Sequence, residues 1–289
     1  TLMALSWEAL ATRNVSLLRH SMSKRFDLPP KTAWVNYVRV HDDIGWTFAD
    51  EDAEELWMNS FDHRLFLNEF YTGEFEGSFA TGLSFNYNPV NKDRRITGTA
   101  ASLAGIEQGL KLKNDTFIDH AIRRVLMIYS IAMSAGGIPL IYIGDELATL
   151  NDYSYTDDPD KKEDSRWVHR PKFDWKRAND RHDDSTLEGK MYEGFLQIIQ
   201  ARKRTSGLGK GATLFFDTGN THVLGYIRNK QILILCNFTE QPQTVRKPVL
   251  SAYFDLTNTM QDILTQTSWT LSDTITLEPY QYIWLTSAK

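Results

Sequence analysis

Apolar and polar positions change their period along the chain. Over residues 8–26, Leu10, Val15, Leu17, Leu18 and Met22 fall near helical spacing, and Pro29-Pro30 closes the segment, which predicts one helix. Residues 33–40 are β-branched and aromatic without a clean polar alternation, the pattern of a strand buried on both faces. They run into His41-Asp42-Asp43. Residues 51–71 read as a helix, with Glu51, Asp52, Glu54 and Glu55 near its start, where the helix dipole favours negative charge. A loop rich in Gly, Asn and aromatics follows over 73–98, then helices over 99–111 and 117–135. Residues 136–144 predict a second buried strand, ending at Asp145-Glu146, and 151–184 a polar loop. Helix 187–203 carries its apolar stripe on Leu187, Met191, Phe195, Ile198 and Ile199. Beyond Gly209 the period becomes two. Short strands are predicted at 213–216, 222–227, 231–238, 244–248, 274–277 and 280–285, separated by turns such as Gly219-Asn220 and Asn229-Lys230.

Strand–helix–strand order with buried strands implies parallel pairing through a right-handed crossover. Two parallel strands do not make a closed sheet, and a complete barrel of eight strands and helices takes ~250 residues. The fold expected is therefore α/β: the C-terminal part of a (β/α)₈ TIM barrel with an inserted helical and loop subdomain, followed by an all-β sandwich. The boundaries expected are 1–43 for a barrel helix and strand seven, 44–109 for the insertion, 110–204 for helix seven, strand eight and helix eight, and 205–289 for the β-sandwich. The opening Thr-Leu-Met-Ala-Leu-Ser-Trp has neither an initiator Met nor a basic leader, so the chain is expected to start within a longer protein.

Composition narrows the function classes. Of 289 residues 42% are hydrophobic and 24% charged, which excludes a disordered or fibrous chain. Lys plus Arg is 32 and Asp plus Glu is 37, a net charge of −5, so neither nucleic acid nor a membrane surface is an expected partner. Cys236 is the only cysteine, which excludes an intrachain disulfide and a zinc site of several thiolates, and favours a cytoplasmic over a secreted setting only slightly. The longest apolar runs, such as 232–236, are too short to span a bilayer. No phosphate-loop, serine-hydrolase or paired-histidine metal motif occurs, and the acidic run 157–164 lacks the spacing of a calcium loop. Neither a cofactor nor a metal is expected.

The candidate chemistry sits where strands end. His41, Asp42 and Asp43 follow a strand's carboxyl end, the end that carries catalytic groups in barrels. Carboxylates and an imidazole there suit sugar hydroxyls and an oxocarbenium-like transition state, or equally an acidic pair that caps or solvates a loop. Asp145-Glu146 reads better as a structural pair. Arg166 beside Trp167 suits a carboxylate at a sugar pocket, or a surface ion pair. Arg64, Phe66 and Arg95 lie between the strand and the next helices, Phe66 with the character of a core residue.

These residues also carry a resemblance. Residues 38–46, Val-Arg-Val-His-Asp-Asp-Ile-Gly-Trp, resemble the strand-seven motif of the α-amylase superfamily, glycoside hydrolase family 13. Residues 137–146 resemble its strand-eight motif. The form of the first motif is similar to that of amylosucrases, as are 62–68 (Asp-His-Arg-Leu-Phe-Leu-Asn), 77–79, 98–101, 164–171 and 225–229. The resemblance implies transfer of glucose from sucrose to an α-1,4-glucan with release of fructose and retention of configuration, so sucrose and α-glucans are the implied partners. By the same likeness Asp42 is the transition-state-stabilising carboxylate, and His41 binds glucosyl hydroxyls. Asp43 contacts the neighbouring ring, Arg166 closes the glucosyl pocket by pairing with an upstream acid, Arg64 and Arg95 line the acceptor path, and Phe66 is a further substrate-binding residue. The nucleophile and acid/base motifs of strands four and five occur nowhere in these residues, so the chain alone is expected to be inactive. A sucrose hydrolase, an α-amylase-type hydrolase or a non-catalytic glucan-binding fragment are the alternatives. Association through an open barrel edge, as a homodimer or with another segment, is a further expectation.

Overall fold

The computed structural model describes residues 1–90, 92–209 and 211–287. It opens with two helices, α1 (Leu2–Thr12) and α2 (Ser16–Arg25), where the spacing predicts one. The chain breaks at Arg13, held at a left-handed φ of 56°, and at Asn14, whose Oδ1 accepts from the Ser16 amide. Such side-chain capping competes with helix continuation and leaves no trace in apolar spacing. Helix α1 is buried throughout residues 4–11, and Trp7 Nε1 donates to the Val38 carbonyl at 3.0 Å.

Next come β1 (Val35–Tyr37), α3 (Asp50–Glu54), α4 (Ser60–Thr72), β2 (Leu83–Phe85), β3 (Arg95–Thr97), α5 (Ala100–Leu103), α6 (Ile106–Leu112), α7 (Asp115–Ser134), β4 (Ile138–Leu140) and α8 (Leu187–Arg204). The helix expected over 51–71 is split at Trp57, which has a positive φ, and restarts at Asn59, whose side chain caps α4 by accepting from the Phe61 and Asp62 amides. The segment 73–98, expected as loop, contains the antiparallel hairpin β2–β3, and Ile44 forms an isolated antiparallel bridge to Ile96.

Strands β1 and β4 pair in parallel, with Val35 opposite Ile138. Neither is buried on both faces, and here the sequence expectation is corrected: Val35 is 51% and Ile138 59% exposed. An apolar strand of a parallel sheet is shielded by neighbours on both sides. Among the described residues each of these strands has a single neighbour, so both outer edges stand open.

The C-terminal unit holds β5 (Thr213–Phe216), β6 (Val223–Arg228), β7 (Ile232–Asn237), β8 (Gln243–Arg246), α9 (Lys247–Ser251), β9 (Thr259–Asp262), β10 (Ser268–Thr270), β11 (Thr274–Leu277) and β12 (Tyr282–Ser287). An antiparallel sheet runs in the order β10-β9-β12-β7-β6-β5, and β11 pairs with β8 in a separate ribbon. Helix α9 and strands β9 and β10 lie in a stretch whose pattern predicts no complete element.

Alternation along β6, β7 and β12 sends side chains into two cores. Leu224, Tyr226, Ile234, Cys236 and Trp284 join the helices in one cluster, whereas Val223, Ile227, Leu233, Leu235, Ile283 and Leu285 meet Val245, Ile275 and Leu277 of the ribbon. The sheet is sealed onto α7 by Trp284 Nε1 donating to Ser130 Oγ at 3.0 Å and by a hydrogen bond between the Tyr226 and Ser134 hydroxyls. The β-unit and the helical part therefore share one continuous core.

Candidate functional site

β1 and β4 run in the same direction, so the segments after their carboxyl ends meet at one end of the pair. The 41–43 turn lies between β1 and the Ile44–Ile96 bridge. The short 3₁₀ turn Ser165–His169, with Arg170 at its end, reaches it from beyond β4, and β3 brings Arg95, with Gly98 just past its end.

At this end His41, Asp42, Asp43, Arg95 and Arg166 come together. The Asp42 side chain is 56% exposed, with His41 Nε2 at 3.4 Å, Arg170 at 3.7 Å and Arg166 at 3.8 Å from its oxygens. It is an accessible carboxylate ringed by donors. Asp43 points inward, only 6% exposed, and pairs with Arg95 at 3.1 Å. Arg166 is engaged by Asp164, with Nε and Nη2 each 2.9 Å from a carboxylate oxygen, and its guanidinium lies 4.5 Å from the Phe85 ring centroid. These charge-assisted bonds hold the Asp164 carboxyl below the usual range. The acid that pairs Arg166 is thus a neighbour in sequence, two positions before it.

Behind the turn is a buried polar layer. Arg39 is 1% exposed; its Nε donates to the Gly98 carbonyl at 2.9 Å and its Nη1 to the Asp42 carbonyl at 2.8 Å. Burial lowers its pKa to about 10. His169, also 1% exposed, lies 2.9 Å from the His41 carbonyl through Nε2 and accepts the Gly98 amide on Nδ1 at 3.3 Å. Burial first, and then the Arg39 charge, lowers its pKa to about 3. Arg170 Nε adds a 2.8 Å bond to the same His41 carbonyl. Sequence reasoning missed Arg39 and left His169 and Arg170 without a role. The signal was present for Arg39, a charge between Val38 and Val40 in an apolar run.

Asp145 is buried and accepts a hydrogen bond from the Tyr129 hydroxyl. Burial raises its pKa to about 7 against the opposing effects of Tyr129 and Arg39. Glu146 accepts from the Gly144 amide at 2.8 Å. Both contacts are local or internal, in line with a structural pair.

A cavity of about 360 Å³ adjoins this end, lined in part by Trp46, Phe61, Arg64, Lys92, Arg94 and Arg95. Arg64 faces it while bonding the Trp46 and Phe48 carbonyls and Asp50. Arg95 belongs both to this cavity and to the Asp43 pair, which links the cavity to the 41–43 turn. Phe66 does not line it; its ring packs on His63, Phe70 and Phe75. No cluster of His, Cys, Asp and Glu among the described residues could hold a metal ion. No helix among them is long and apolar enough to cross a membrane.

No protein-family model matches the chain. Among solved structures it is similar to AmyP in complex with maltose, at 14% identity and TM-score 0.46 over 58% of this chain and 36% of that one. It is also similar to a MutB mutant in complex with its substrate sucrose, at 16% identity and TM-score 0.42 over 57% of this chain and 38% of that one. A third match is the type III pullulan hydrolase from Thermococcus kodakarensis, at 16% identity and TM-score 0.40 over 57% of this chain and 23% of that one. The chain thus spans less than two fifths of the length of each of these proteins.

Proposed function

We propose that this chain supplies one wall of the cleft of a retaining glucosyltransferase resembling the amylosucrases, which moves glucose from sucrose to an α-1,4-glucan and releases fructose. The observation that carries the reading is the convergence of His41, Asp42, Asp43, Arg95 and Arg166 at the carboxyl end of two parallel strands. In this reading β1 and β4 are the last two strands of a (β/α)₈ barrel, residues 44–109 are an insertion, and residues from 205 onward form a β-sandwich. The open outer edges of the strand pair support it.

Asp42 is exposed enough to reach a sugar ring, and Arg166 and Arg170 flank it without a direct short bond. A carboxylate so placed stabilises the positive charge that develops on the anomeric carbon and ring oxygen. His41 is solvent-facing and donates to or accepts from sugar hydroxyls. Asp43, turned inward, holds Arg95, whose exposed guanidinium offers its remaining N–H groups to the next ring. Arg64 and Arg95 then extend the path into the adjoining cavity. Phe66 keeps at most an indirect role, through the aromatic cluster under α4.

Retaining transfer needs a carboxylate nucleophile and a separate acid/base, and these residues offer no motif for either. The chain alone is therefore expected to release no fructose. The test is a polypeptide that joins these residues to the two missing carboxylates, assayed with sucrose and glycogen. Fructose release and glucan growth are expected, with Asp42→Ala lowering turnover by at least about 10³-fold. No fructose above buffer overturns the transferase reading. Free glucose without glucan growth replaces it by the hydrolase reading.

A further inference from the structure

We infer that His169 is the positioning residue for the Asp42 carboxylate, acting as a neutral imidazole protonated on Nε2 that ties the 41–43 turn to Gly98. The functional weight of this inference rests on the proposed role of Asp42; its structural content does not.

The geometry fixes the tautomer. The Gly98 amide must donate, so Nδ1 of His169 accepts and carries no proton. The His41 carbonyl must accept, so Nε2 carries the proton and donates to it. An imidazolium would point an N–H at the Gly98 amide and lose that bond. Both polar groups of Gly98 are consumed, its amide by His169 and its carbonyl by Arg39. Arg39 also holds the Asp42 carbonyl, and Arg170 shares the His41 carbonyl with His169. Three side chains from two segments therefore fix the two peptide groups on which the Asp42 side chain stands. Arg39 joins this turn to the hairpin end by donating to both, and His169 joins them by accepting from Gly98 and donating to His41. Gly98 can take part because its φ of 154° and the Leu103 side chain, 3.0 Å from where a Cβ would lie, suit glycine. Asp164, Arg39 and Arg170 are the charged groups around the ring, and the two arginines oppose its protonation.

The test uses this chain and needs no sugar. Long-range ¹H–¹⁵N spectra of the His169 ring at pH 7 should show the Nε2–H tautomer. The Nδ1–H tautomer or an imidazolium would overturn the inference. His169→Phe keeps the ring volume but neither bond. Amide exchange at residues 41–44 and 98 should then rise about tenfold, the equivalent of one lost hydrogen bond. The Asp42 ¹³Cγ resonance should move, and β6 and β7 should keep their protection. His169→Gln, which retains a donor and an acceptor, should restore slow exchange and the Asp42 resonance. Unchanged exchange and an unmoved Asp42 resonance in His169→Phe would overturn the inference, and so would failure of His169→Gln to restore them. If His169→Phe does not fold, the wild-type tautomer still decides. A clamp that behaves as described, with no fructose released by the polypeptide that joins these residues to the two carboxylates, would sink the functional reading and leave the positioning intact.

Discussion

Asp145 illustrates what burial does to a single carboxyl group. In an unfolded chain it loses its proton near 3.9; in the fold, beside Tyr129, it keeps it to about 7. Between these values the unfolded chain is charged at this position and the native chain is not, so unfolding releases a proton. Its contribution to stability is therefore greatest below about pH 4 and is lost as pH rises through about 7. Asp145→Asn should remove that slope. In urea titrations the variant should gain on the wild type between pH 5 and pH 8, and a constant difference across this range would refute the assignment. Arg64 and Arg95 test the cavity in the same spirit. Calorimetric titration with maltooligosaccharides should show binding that weakens by at least about tenfold in the Arg64→Ala, Arg95→Ala double variant, as loss of two charged hydrogen-bond donors implies. Undiminished binding would remove both from the acceptor path. Binding by the chain, with no turnover by the polypeptide that joins it to the two carboxylates, would instead favour the glucan-binding reading.

At the scale of elements, the entry to β4 is tightly constrained. Gly137 has a φ of 72°, and a Cβ there would lie 2.4 Å from the Trp34 carbonyl oxygen, a backbone atom that cannot swing away. The same carbonyl accepts the Ile138 amide at 2.8 Å and so starts the β1–β4 pairing. Gly137→Ala should cost about 1–3 kcal/mol and loosen exchange protection at Ile138 first, measured by urea unfolding and amide exchange. A stability loss below 0.5 kcal/mol, the ~0.5 kcal/mol range of neutral surface changes, would show that the pairing tolerates another entry. The helices tell a related story. Apolar spacing located α7 and α8 well because both bury a long stripe. It merged α1 with α2 and α3 with α4 because their breaks depend on Arg13, Asn14, Trp57 and Asn59, whose capping and left-handed conformations are polar and local.

At the scale of the whole molecule, the parallel pair is the exposed flank. Val35, Ile138, Leu140 and Ile143 are all exposed there. A cleft of about 390 Å³ lined by Met22, Phe26, Trp34 and Val35 lies along β1, and one of about 450 Å³ lined by Met133, Pro139, Ile141 and Ile199 lies along β4. Open strand edges with apolar faces seek partners. Light scattering at micromolar concentration should report a species larger than one chain, and Val35→Lys with Ile138→Lys should return it to a monomer. A monomeric wild type would count against association through this flank. By contrast, the central strands β6 and β7 of the six-stranded sheet are buried on both faces, between the helices and the β8–β11 ribbon.

The amino-acid sequence by itself determined the order of the main elements, from helices and two parallel strands to a β-rich end, and the acidic turn at the carboxyl end of the first of those strands. These follow from period, from Gly and Pro punctuation and from residue type, all of which are local. Only the tertiary structure decided that Asp43 turns inward to Arg95 while Asp42 faces out, that Asp164 takes up Arg166, and that His169 and Arg39 hold the turn from behind. It also decided that the two apolar strands lie open rather than enclosed. A side chain's partner depends on distances between segments far apart in sequence, 129 positions for Arg170 and His41. Burial depends on how many neighbours a strand has, and neither quantity is written in the spacing of one segment.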